Sequence, residues 1–179
     1  PVAGQEAEFK KIKESWTLRA DGSQVYRHMK VLTLYTHTAM NRTYGESFIT
    51  YDPRYQTLEI HESYTRQKDG NIVKTPDNAF VEVLPAAAAN APAFNALREM
   101  VVVHTGLELG ATVYLDYSIT SKPGYLPEIN VCRQLEQSSP VKEYEIIIAV
   151  PQGQRLEYAL DNLKSKPLVT EKEGMKQVS

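Results

Sequence analysis

The feature that most constrains this chain is the recurrence of short segments rich in β-branched and aromatic residues, most of them closed by Gly, Pro, Asn or Asp. Such residues suit a pleated, half-buried surface, and turn-formers at short intervals send the chain back on itself, so the pattern specifies an antiparallel sandwich or barrel. The cleanest segment is Ala111 to Thr120, where Ala111, Val113, Leu115, Tyr117 and Ile119 alternate with Thr112, Tyr114, Asp116 and Ser118. A period of two places the first set on one face and the second on the other.

Two hairpins carry explicit turn chemistry. Asp21-Gly22 separates Ser15 to Leu18 from the long run Val25 to Thr36, and Lys68-Asp69-Gly70-Asn71 separates Leu58 to Tyr64 from Ile72-Val73. Within Leu58 to Tyr64 the alternation puts Leu58, Ile60 and Tyr64 on one face and Thr57, Glu59 and His61 on the other. Further strands are expected at Glu46 to Tyr51, ended by Asp52-Pro53, and at Phe80 to Leu84, Met100 to Thr105, Asn130 to Gln134 and Val141 to Val150. Pro151-Gln152-Gly153 then turns the chain toward Leu156 to Leu160. The stretch after Pro85 breaks the rhythm. Asn90-Ala91-Pro92 offers a cap and an early-turn proline for one short helix near residues 91–98, with an irregular surface loop as the alternative for the preceding alanines. The expected architecture is a mainly-β antiparallel sandwich with a lead-in at residues 1–14 and a single domain at 15–163. Residues 164–179, rich in Lys and Glu, read as a linker or the start of a following region.

Composition excludes several function classes. With 179 residues, 42% hydrophobic and 23% charged, the chain has globular proportions and can bury roughly 70% of the surface it exposes when unfolded. Its longest apolar run, Ile146 to Val150, falls far short of the ~20 residues of a membrane-spanning helix. A net charge of -2 without a basic run argues against nucleic acid. The sequence starts at Pro1 rather than Met, compatible with a removed leader or with a chosen boundary.

No residue is expected to be catalytic, to bind a cofactor or to hold a metal. The four histidines, His28, His37, His61 and His104, lack the spacing that puts two ligands on one helical face. His28 and His61 alternate as surface positions, whereas His104, within Val101-Val102-Val103-His104-Thr105, is expected to be buried and hydrogen-bonded. Cys132 is the only cysteine, which excludes an internal disulfide. A nucleophilic thiol needs a base and a cation nearby, and on a strand Arg133 points away from Cys132, so this cysteine reads as a small residue packed on a strand. Nucleophile elbows, P-loops and dinucleotide turns are absent from the sequence.

The candidate binding surface rests on tyrosine, of which there are eleven against one Trp and four Phe. Tyr couples a large apolar ring to a hydroxyl that tolerates water, which suits recognition, although it also covers sheet faces without any ligand. Tyr114, on the polar side of its strand, is one candidate. Tyr125 and Leu126 are the others, because Lys122-Pro123-Gly124-Tyr125-Leu126-Pro127 holds them between turn-formers where burial is hard to arrange.

Several of these segments together resemble a known family. Asp52 to Ile60, Tyr64-Thr65, Lys68-Asp69-Gly70, Leu107 to Val113 with Tyr117, Ser139-Pro140-Val141 and Val150-Pro151 are similar, in order and spacing, to the domain of unknown function 3857. The likeness runs from about Trp16 to Asn162. It implies a β-sandwich module on the N-terminal side of a transglutaminase-like domain in exported bacterial proteins, and hence a periplasmic, cell-surface or secreted setting. It carries over no catalytic residue. The implied role is a noncatalytic accessory or binding module whose partner is a downstream catalytic domain, the alternative being an independent polysaccharide- or peptide-binding sandwich of the cell envelope.

Overall fold

The computed structural model describes residues 3–179. Its strands are β1 (Ala7–Leu18), β2 (Gln24–Leu34), β3 (Glu46–Tyr51), β4 (Gln56–Arg66), β5 (Ile72–Lys74), β6 (Phe80–Val83), β7 (Arg98–Val103), β8 (Thr112–Ser121), β9 (Tyr144–Pro151), β10 (Val169–Lys172) and β11 (Met175–Val178). Eight form one sheet in the order β10-β11-β9-β1-β2-β8-β4-β5, and β3-β7-β6 form a second. The protein is mainly β, as its punctuated sequence requires. Pairing is antiparallel throughout except between β1 and β9, which run parallel.

Both expected hairpins are present. Gly22 and Gly70 take positive φ, +86° and +90°, where a side chain would be strained. Each turn is tightened by the aspartate before its glycine: Asp21 accepts from the Ser23 N–H at 2.8 Å and Asp69 from the Asn71 N–H at 2.9 Å.

The core lies between the sheets. Ile49 and Val102 of the small sheet pack on Leu115 of β8, with Leu58, Ile60 and Phe80 around them. A second cluster joins Ala7, Phe9, Ile12, Leu32, Leu34 and Val113 to Ala39 and Tyr44 of the β2–β3 connection. Burial of the larger aliphatic side chains, each contributing ~1.5–3 kcal/mol, holds the small sheet and the β2–β3 connection against the large sheet.

Three segments differ from the sequence reading. The first is residues 1–14, whose described part is no lead-in. Strand β1 starts at Ala7 and lies inside the large sheet, between β2 and β9. A bulge between Phe9 and Lys11 switches the parity of the strand, so Ala7 and Phe9 before it and Ile12 and Glu14 after it all point inward. The alternation is broken at that point, and the lysines hide it. The second is the tail. Val169–Lys172 and Met175–Val178 form a hairpin through Glu173-Gly174, both at positive φ, and β11 pairs with β9. This hairpin sits at the sheet edge and buries mainly Val178, which explains its low apolar content. The third is the helix expected near 91–98. Single 3-10 turns at Ala86–Ala88 and Pro92–Phe94 stand there instead, and β7 already begins at Arg98. Pro92 keeps Ala91 out of the helical region (φ -131°, ψ 86°), which leaves too few residues on either side for a stable α-helix.

A second bulge, between Ile60 and Glu62, alters β4 in the same way. Leu58 and Ile60 face the core, but Tyr64 emerges on the opposite face, directly across from Tyr114, rather than beside them.

Candidate functional site

The inner face of the large sheet is polar over part of β1, β2, β8 and β9. Register places Glu14 opposite His28, Trp16 opposite Tyr26, His28 opposite Tyr117 and Tyr26 opposite Ile119. His28 therefore points inward, contrary to its reading as a surface residue, and its ring stacks on Tyr117 at 5.3 Å between centroids. Glu14 is the centre of this group and is only 3% exposed. The hydroxyls of Tyr26 and Tyr144 donate to it, Arg133 Nε lies 3.2 Å from its Oε2, and His28 Nδ1 is 3.7 Å away. Arg133 also covers the rings of Trp16 and Tyr26, at 5.3 and 5.8 Å from their centroids.

Burial alone would raise the Glu14 carboxyl, but His28, the two phenols and the Arg133 charge outweigh it and hold it at about 2. Burial and the neighbouring Glu14 charge push Tyr117 up to about 12, and Tyr26 and Tyr144 upward as well. Glu14 is thus a fixed anion and the tyrosines fixed donors. The arrangement anchors Arg133 and the chain segment carrying it.

That segment, residues 126–139, crosses over β1 and β2. A cleft of about 360 Å³ opens beside it, with Trp16, Tyr26 and Ile119 on the sheet side, Leu126, Pro127, Glu128 and Asn130 on the other, and Gln24, Gln56 and Ser121 between. Gln24 ties the two walls, its Nε2 donating to the Leu126 carbonyl at 3.2 Å. Of the sequence candidates, Leu126 lines this cleft and is 39% exposed. Tyr125 does not line it and is stacked on Tyr55 at 5.0 Å, with Arg54 over the Tyr55 ring. Tyr114 is not brought to it. It lies on the outer face of the large sheet, stacked on Tyr64 at 4.5 Å beneath Arg66. Cys132 is exposed rather than packed, because the strand expected at 130–134 has no ladder partner.

A second polar group bridges the sheets. Lys30 Nζ of β2 donates to Ser47 Oγ of β3 at 2.6 Å, and Ser47 Oγ lies 2.7 Å from His104 Nε2. Burial pushes Lys30 down to about 8, and burial with the Lys30 charge pushes His104 down to about 3. His104 is buried and hydrogen-bonded, as the sequence suggests. Its imidazole is expected to stay neutral from pH 8 to pH 5, so its proton resonances should not move over that range. A midpoint near 6.5 would contradict this placement. Because the unfolded chain takes up a proton below about 6.5 that the folded chain refuses, His104 makes stability fall as pH drops from 6.5 toward 3.

Among the described residues no three His, Cys, Asp or Glu side chains converge as metal ligands, and no helix is long and apolar enough to cross a membrane.

The sequence profile of a domain of unknown function, DUF3857, matches residues 20–179. The chain belongs to the DUF3857 family. None of the curated proteins compared matches this DUF3857 chain. Among solved structures it is similar, at 62% identity and a TM-score of 0.95, to a chain from Parabacteroides distasonis described as a "putative protease". The match covers 97% of this DUF3857 chain and 34% of that one, so the chain spans about a third of the length of its relative. An M1 zinc metallopeptidase from Deinococcus radiodurans matches at 12% identity, a TM-score of 0.40, and 97% and 38% coverage, a likeness too weak to carry an argument.

The residues that build the polar group and the cleft, Glu14, Trp16, Gln24, Tyr26 and Arg133, escape sequence reasoning because polar side chains at alternate positions read as solvent-facing. The signal that could have found them is the run Gln24, Tyr26, His28, Lys30 in phase with Leu32 and Leu34 on β2.

Proposed function

We propose that this DUF3857 domain is a noncatalytic accessory module of a larger exported protein with a protease- or transglutaminase-like domain downstream. The observation that carries this reading is the 62% identity to one third of a longer chain described as a "putative protease". The site chemistry supports it. Glu14 is held ionised, His104 is held neutral between the sheets, and the exposed Cys132 lies on the side of its segment opposite the Arg133–Glu14 pair. The module serves to engage polypeptide for its neighbour.

Removing this module from the parent polypeptide is expected to lower turnover of a folded or long protein substrate by about tenfold while a small chromogenic substrate is cleaved within about twofold of the intact rate. Equal rates on the long substrate, or hydrolysis by this chain alone, would contradict the reading. A cell-envelope polysaccharide is the second ligand class, favoured by the mixture of aromatic rings and carboxamides around the cleft.

A further inference from the structure

The segment 126–139 has the side-chain pattern of a strand without the pairing of one. Ile129, Val131 and Leu135 are half-buried, and Arg133 reaches in to Glu14, whereas Asn130, Cys132, Gln134 and Glu136 are exposed. Among the described residues no backbone-to-backbone hydrogen bond is made by any residue from 126 to 139. Tyr125 bonds back to Lys122, and the next backbone bond involves Pro140. A run of this length whose N–H and C=O groups have no backbone partner is a template for another extended chain. The cleft beside Leu126 and Asn130 provides an apolar floor where that chain would place a side chain. The flanking carboxylates Glu128 and Glu136 form no ion pair among the described residues, which sets the charge of the partner.

We infer that residues 128–136 are a strand-addition site for an extended polypeptide with small apolar side chains at alternate positions and Lys or Arg at its flanks. The inference rests on the proposed role as a polypeptide-engaging module, and names the surface and ligand class. Backbone hydrogen bonds to the open segment supply affinity, Ile119 and Leu126 at the cleft take one apolar side chain, and the acidic flanks select cationic ends. The Glu14–Arg133 pair fixes the segment in place, so the accepting edge is organised before the peptide arrives. A saccharide is favoured less, because the Trp16 and Tyr26 rings tilt against each other at 5.1 Å and Arg133 covers both, leaving neither as an open stacking platform.

The test uses this chain with a fluorescein-labelled octapeptide, Lys-Val-Thr-Val-Thr-Val-Thr-Lys, followed by anisotropy. Saturable binding is expected. It should weaken by about tenfold or more when alternate peptide nitrogens are methylated, when Glu replaces both lysines, and with Asn130→Pro or Leu126→Asp, both at exposed positions and checked for an unchanged circular dichroism spectrum. Absence of binding, equal binding of the methylated peptide, saturation by oligosaccharides of cell-wall type instead, or a concentration-dependent mass showing that a second copy occupies the edge would each overturn the inference. If the parent protein still loses turnover on deletion of the module while no peptide binds here, the strand-addition site fails and the accessory role stands.

Discussion

Replacing Glu14 with alanine is expected to lower the unfolding free energy by roughly 2–4 kcal/mol, because two phenol donors lose a buried charged acceptor while Arg133, 43% exposed, is partly screened by water. The loss has identifiable parts. The hydroxyls of Tyr26 and Tyr144 lose their acceptor, and Arg133 is left as a charge without a counter-ion over two aromatic rings. In a chain of this size that shift lowers the melting temperature by about 10 °C. Urea unfolding provides the measurement, and a change below about 1 kcal/mol would show that the carboxylate is not the anchor described. Adding Arg133→Met to the alanine variant is expected to recover part of the loss, because the stranded cation goes with it. The pH dependence has a defined sign. Since the carboxyl sits at about 2 in the folded chain and near 4.5 when unfolded, the unfolded state binds the extra proton and the stabilisation is lost as pH falls from about 4.5 to 2. A Glu14→Gln chain should lack that component.

Lys30→Met is expected to act in the opposite direction and stabilise the protein at pH 7. The ammonium group of Lys30 is sealed between the sheets with Ser47 as its hydrogen-bond partner, and burial alone accounts for its depressed pKa. The difference between 10.5 unfolded and about 8 folded corresponds to roughly 3 kcal/mol of destabilisation while the group is charged in both states. That cost is complete below about pH 8 and fades as pH rises to 10.5, where the unfolded chain also gives up its proton. Wild-type stability should therefore gain a rising component across that window, and the methionine variant should show neither the cost nor the slope. The Ser47–His104 hydrogen bond, within the small sheet, remains in the variant, and only the Lys30–Ser47 bond between the sheets is lost. A variant less stable than the wild type at pH 7 would mean that the Lys30–Ser47 bond contributes more than the buried charge costs.

Sequence reasoning reached the strands and turns whose chemistry is local. Asp21-Gly22 and Asp69-Gly70 specify their hairpins, and the alternation of β8 fixes which of its residues meet the small sheet. What it missed is decided by contacts between distant segments. The bulges in β1 and β4 move Glu14 inward and Tyr64 outward, and a bulge leaves no mark in the sequence beyond a break in alternation. Polar residues on the inner face of β2 look solvent-facing until Glu14, Tyr144 and Arg133 arrive from elsewhere to satisfy them. The C-terminal hairpin reads as a linker because an edge pair buries so little, and the alanine-rich stretch reads as helix because the disruption by Pro92 is weighed against a good capping signal. The exposure of Leu126, which lines the cleft, is legible from its loop, while the unpaired backbone after it is not. The strand expected at Asn130 to Gln134 has the side-chain pattern but no partner, and the sequence does not reveal which strands go unpaired.

The most direct test of the account is backbone hydrogen exchange across residues 126–139, measured in this chain alone and in the full parent protein. In the isolated chain these amides are expected to exchange as fast as those of an unstructured peptide, since none of them is committed to a backbone bond, whereas those of β1, β2 and β8 are strongly protected. In the parent, in the presence of polypeptide substrate, the amides of 128–136 should slow by about tenfold or more while the rest of the pattern is unchanged. Identical rates along 126–139 in both, or protection confined to another face, would contradict the claim that this open segment is where the module takes hold of polypeptide.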